Sequence, residues 1–153
     1  MARMGKVDFS ELQKFVDKVE TVLDEDQMQL FMEACAKELA ARLLTKVIKR
    51  TPVGVYPDRV GGTLRRGWTA EKQQGVMTYV NSLNVTHSGD SFTIEIVNPV
   101  EYASYVEFGH RTRNHKKWVE GKFMLTISSQ EIQEAAPGVL EKKLQRKLGE
   151  AFK

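Results

Sequence analysis

Cysteine occurs once in the 153 residues, as Cys35, so no disulfide can form within the chain and any stable fold must come from a packed core. That usage suits a reducing cytoplasm. Histidine is nearly as scarce, with His87, His110 and His115 only. His110 and His115 are five apart, a spacing that does not put both on one helical face, and no HExxH, CxxC or paired-acid motif accompanies them. Ser128 and Ser129 lack a GxSxG setting and read as helix-capping residues. Gly61-Gly62 precedes TLRRG and not GK[ST], so it is no phosphate loop. No run approaches the roughly 20 apolar residues of a membrane span, and the opening MARMGKVDFSELQKF lacks the apolar centre of a signal peptide. These absences argue against a metal, thiol or cofactor enzyme and against a membrane protein. The expectation is a soluble protein that stays where it is made.

What is present is an ordinary globular composition, 41% hydrophobic and 28% charged, unlike that of a disordered chain. At roughly 150 residues per domain the length fits one domain, which can bury about two thirds of its unfolded surface. The net charge of +3 conceals a segregation. Residues 1–41 hold five basic and nine acidic side chains, hence −4, and residues 42–72 hold eight basic against Asp58 and Glu71, hence +6. Residues 73–109 have four acids and no lysine or arginine, and 110–122 carry five basic residues against Glu120. Such alternation suits self-association or an acidic partner.

Hydrophobic spacing organises the chain into an α+β domain. Phe9, Leu12, Phe15, Val16, Val19 and Leu23 mark a first amphipathic helix. A second spans about 26–50, with Met28, Met32, Cys35, Leu39, Leu43 and Val47 on one stripe, and Thr51-Pro52 ends it. Cys35 on that stripe reads as a small buried hydrophobe. Residues 52–67 contain two prolines and four glycines and read as a long loop. Residues 68–85 and 92–97 read as strands, paired as an antiparallel hairpin through a turn at 87–90. Residues 101–109 form a short aromatic helix closed by Gly109 in a left-handed conformation, and 110–117 form a basic loop. From about Phe123 the four-residue rhythm of Ile132, Ala136, Leu140, Leu144, Leu148 and Phe152 marks a last helix. Pro137 is expected to kink or break it, and Ser128 with Glu131 has capping-box spacing. The expected architecture is a small antiparallel sheet with helices on one face in a single domain over 1–153. Its parts are a helical segment (1–50), a loop or arm (51–67), and a sheet with the C-terminal helices (68–153).

Three segments resemble a known family. Thr51-Pro52 followed by GGTLRRGW is similar to its TPVDTGxLRxSW element, with VYPDRV inserted and Gly67 in place of a small hydroxyl residue. NPVEYASYVEFGHRT, residues 98–112, is similar to N…YAxYVExGTR, and GKFML, residues 121–125, to the GxxML that opens the last helix. The family is that of the neck proteins, which join head to tail or complete the tail, of long-tailed double-stranded DNA bacteriophages and phage-like contractile particles. The resemblance implies a non-enzymatic structural subunit without cofactor. It would assemble as a ring, taken to be a hexamer, between the portal and adaptor assembly and the tail tube or terminator, in the virion neck, with its assembly in the host cytoplasm.

In that setting Arg65, Arg66, Trp68, Tyr102 and Tyr105 are the candidates for subunit contacts. Arg111, Arg113, Lys116 and Lys117 are those for the DNA channel or an adjacent ring. Two other classes compete. A free nucleic-acid-binding protein would use the basic loops 59–66 and 111–117, and a nuclease would use Glu101, Glu107 and His110.

Overall fold

The computed structural model describes residues 2–4, 25–70, 75–89 and 91–151. The helix expected over residues 9–23 lies outside them. In chain order the elements are β1 (Ala2–Met4), α1 (Glu25–Arg50), α2 (Thr63–Gly67), α3 (Val76–Asn81), β2 (Thr86–Ser88) and β3 (Ser91–Thr93). They continue with β4 (Ile96–Asn98), α4 (Ala103–Phe108), β5 (Gly109–Arg111), β6 (Trp118–Glu120) and α5 (Met124–Ala151). The α+β class holds. The strands form three separate antiparallel pairs, β1 with β4, β2 with β3, and β5 with β6.

The core is built on α1, where the apolar stripe places Phe31, Met32, Cys35, Leu39, Leu43, Leu44 and Val47 inside. Cys35 is fully buried, and its burial pushes the thiol up to about 12, so it remains a protonated hydrophobe. Against α1 lies α5, running antiparallel, with Met124, Leu125, Ile132, Leu140 and Leu144 buried. Ion pairs fix their register from two sides. Glu131 of α5 accepts from Lys46 at 2.9 Å and from Arg50, and Glu38 of α1 accepts from Lys143 at 2.8 Å. From residue 92 to 98 every second side chain, Phe92, Ile94, Ile96 and Asn98, is buried. The period-two pattern therefore survives even though the hydrogen-bonded strand is interrupted at residues 94–95.

Several expectations change. Residues 68–85 are not a strand: a turn at 68–70 precedes α3, whose Val76, Tyr79 and Val80, with Leu83 beyond it, pack on the core at helical spacing, and the partner of β3 is instead Thr86–Ser88, where His87 and Ser88 were expected to turn. That amphipathic period outweighs the weak strand preference of valine and threonine. The loop after α1 ends at residue 62, because Leu64 is buried and draws 63–67 into a turn of helix. The last helix passes unbroken through Pro137, which is exposed. Ser128 and Glu131 do not cap it. The helix starts at Met124, Ser128 Oγ donates back to the Met124 carbonyl at 2.5 Å, and Glu131 holds Arg50 and Lys46. The short helix ends at Gly109 with φ 89° and ψ 170°, a positive φ beyond the left-handed helical well, which glycine alone adopts without strain.

Candidate assembly surface

The three signature segments converge into a frame of buried hydrogen bonds. Where α1 stops, Thr51 Oγ1 donates to the Val47 carbonyl at 2.6 Å and accepts from Trp68 Nε1 at 2.7 Å. The Thr51 carbonyl accepts from Arg65 Nη2 at 2.7 Å and Nε at 3.2 Å. This ties α2 and Trp68 to the end of α1. Asn98 adds a second tie, donating to the Leu64 carbonyl at 2.8 Å and accepting from Val100 N at 3.1 Å. Gly67 sits against Asn98, and a Cβ there would collide with the Asn98 side chain and meet Val100 Cγ2 at 2.9 Å. The glycine that departs from the resemblance pattern thus leaves room for a buried amide.

Glu107 forms the third tie. It has no accessible surface, and its carboxylate accepts from Leu125 N at 2.9 Å, Thr126 N at 2.8 Å and Thr126 Oγ1 at 2.7 Å. The first turn of α5 contains no acid of its own. Glu107 supplies one from α4, satisfying helix-terminal N–H groups and facing the positive end of the helix dipole. Lys122 N and Phe123 N donate to the Val106 and Glu107 carbonyls at 2.7 and 3.1 Å, closing the base of the β5–β6 hairpin.

With Glu107 facing inward, the outer side of α4 is aromatic. Tyr102, Tyr105 and Phe108 are 43%, 58% and 56% exposed and three residues apart, which places them along one face. Trp118, Val119 and Phe123 are exposed nearby along the hairpin, and the Tyr105 and His110 rings lie 5.7 Å apart. At the hairpin tip Thr112 N donates to the Lys117 carbonyl at 2.8 Å. Asn114 Oδ1 accepts from Thr112 Oγ1 at 2.7 Å and from Lys116 N at 3.1 Å. The turn is therefore held by its own hydrogen bonds and presents Arg111, Arg113, Lys116 and Lys117 to solvent.

Tyr102, Tyr105 and the four basic residues belong to one stretch of chain, residues 102–118, and the structure leaves all six exposed. Arg65 and Trp68 lie elsewhere. Trp68 has no accessible surface and so acts within the fold, while Arg65 is half-buried with its guanidinium on the Thr51 carbonyl. Arg66 is exposed, with its guanidinium on the Gly61 carbonyl at 3.0 Å and on Thr63 Oγ1. Sequence reading also missed Thr112 and Asn114, whose spacing in HRTRN signals a side-chain-bonded turn, and it missed the exposure of Phe108 and Trp118. The acid pair of the nuclease alternative is not assembled as such, because both Glu107 oxygens are taken by α5 while Glu101 is exposed. Among the described residues no group of three or more His, Cys, Asp or Glu could hold a metal ion, and no helix is long and apolar enough to cross a membrane.

These features define a small α+β fold in which the signature residues build an internal frame and leave an aromatic and basic surface outside. Residues 10–109 match the family described as "Bacteriophage HK97-gp10, putative tail-component". The chain belongs to this family of phage tail components. The matched stretch contains the Thr51-Pro52, LRRGW and YVEFG segments, while GKFML lies beyond it, joined to it through Glu107. Comparison with curated proteins and with solved structures returned no match.

Proposed function

We propose that this tail component is a ring-forming subunit of the phage neck, completing the tail or joining it to the portal and adaptor assembly around the DNA channel. We assign six copies to the ring. The observation that carries this reading is the inverted polarity of α4, with a carboxylate buried and Tyr105 and Phe108, joined by Tyr102 at the N-cap, exposed. A helix that faces only water gains nothing from that arrangement, whereas tyrosine and other aromatics are enriched where proteins meet. Tyr102 and Tyr105, with Phe108, contact the neighbouring copy, and Arg66, exposed on the separate turn α2, makes a further subunit contact. Arg111, Arg113, Lys116 and Lys117 face the channel or the adjacent ring. Any contact they make with genomic DNA is with phosphates and carries no base sequence. The protein works in the virion at the head–tail interface, after assembly in the bacterial cytoplasm.

The test is a Tyr105→Asp, Phe108→Asp variant. Both residues are more than half exposed, so the isolated chain is expected to keep its helical circular dichroism and to melt within about 2 °C of the parent. Particles built with it are expected to accumulate as separate heads and tails. Normal joining with that variant would overturn the reading.

A further inference from the structure

The loop that follows α1 and the groove at the other end of α1 form a pair. Residues 52–60 are all exposed, with Val55 96% and Val60 85% accessible and Val53 and Tyr56 near half. Arg59 stacks on Tyr56 at 4.1 Å, leaving Asp58 as the only acid of the loop. The loop is pinched at its base, where Gly61 touches the Gly54 carbonyl. The six residues between those glycines can extend about 10 Å out and back.

At the opposite end, α1 and α5 leave a groove of about 360 Å³ lined by Gln27, Leu30, Phe31, Ala34, Lys143, Arg146 and Lys147. Its apolar side is Leu30, Phe31 and Ala34, with Leu30 65% exposed, and its basic side is the α5 trio. Lys143 is paired with Glu38; Arg146 and Lys147 have no acidic partner among the described residues. Twenty residues of helix separate Phe31 from Thr51, about 30 Å, so the loop cannot reach the groove of its own chain.

We propose that the groove receives the 53–60 loop of a second copy, with Val55 and Val60 against Leu30 and Phe31, and Asp58 against Arg146 and Lys147. A protrusion at one end and a socket at the other, both on the same rigid helix, give a head-to-tail contact, the type that closes into rings. This inference rests on the ring reading and adds where the neighbours lock. Asp58, the one acid of the loop, then enters a basic socket while Arg59 stays stacked on Tyr56.

A chain carrying Leu30→Cys and Val55→Cys tests it, because Cys35 is buried and stays unreactive. Mild oxidation is expected to give a ladder of linked copies on a denaturing gel. The control Leu30→Cys, Glu101→Cys is expected to give none. Asp58→Lys in the native chain is expected to weaken association about tenfold. An unmutated chain that oligomerises while the Leu30–Val55 link does not form overturns the inference and leaves the ring reading in place. A chain that stays monomeric throughout overturns both. Resistance of Leu30→Cys to alkylation in the monomer assigns the groove to the chain's own residues 5–24 and also overturns the inference.

Discussion

At Glu107 a fully buried carboxylate is stable because three donors from the start of α5 surround it. Removing it leaves the buried Leu125 N–H and the partly buried Thr126 N–H without their acceptor, at about 1–3 kcal/mol each. Glu107→Ala is therefore expected to destabilise the subunit by about 3 kcal/mol and lower the melting temperature by about 6–12 °C. Glu107→Gln, which keeps an acceptor oxygen, is expected to lose less. A thermal melt of Glu107→Ala within about 2 °C of the parent would contradict this role. Gly67→Ala makes the complementary case. Its methyl group must displace Asn98, which is buried and bonded to the Leu64 carbonyl, so a loss of about 1–3 kcal/mol is expected in denaturant unfolding. Neither role is readable from the sequence. Glutamate within YVEFG has the spacing of a surface helix residue, and only the return of α5 onto α4 turns it inward.

Among the elements, the α1–α5 pair was the most legible, since both show sustained helical spacing of apolar residues over many turns. Length protects such a pattern from local exceptions, and α5 accordingly runs through Pro137 where a break was expected. A proline within a helix lacks one N–H and crowds the preceding turn. Pro137→Ala is expected to raise stability by about 2 kcal/mol, read as a higher melting temperature. Short segments fared worse. Val76–Asn81 is rich in strand-favouring residues and folds as helix because Val76, Tyr79, Val80 and Leu83 meet the core together. The ion pairs that set the α1–α5 register also titrate. Hydrogen bonds from Arg50 and then Lys46 lower the Glu131 carboxyl from 4.5 to about 2. Its folded value lies below the unfolded one, so its contribution is complete above pH 4.5 and disappears as the pH falls towards 2. Comparing melts of the parent and Glu131→Gln is expected to show a gap at pH 6 that closes near pH 2. A gap unchanged by pH would contradict the pairing.

For the whole molecule, the exposed surface over residues 102–123 combines aromatic side chains with a hydrogen-bonded basic turn. Charge reversal at Arg111 and Arg113 is expected to leave folding intact, because both side chains are exposed, and to reduce head–tail joining and infectivity. Unchanged infectivity of the Arg111→Glu, Arg113→Glu phage would remove these residues from the proposed contact. Thr112→Val, Asn114→Ala is expected to act in the same direction by loosening the turn without changing its charge.

The sequence by itself determined the α+β class, the long helices with their buried faces and the family, because periodicity and local motifs are carried by neighbours along the chain. Tertiary structure alone decided that Thr51, Asn98 and Glu107 are internal ties, that Trp68 is core, and that the aromatics of α4 face outward. Those assignments depend on partners between 17 and 34 residues away in the chain. A side chain's own spacing does not say whether a distant donor will arrive to satisfy it.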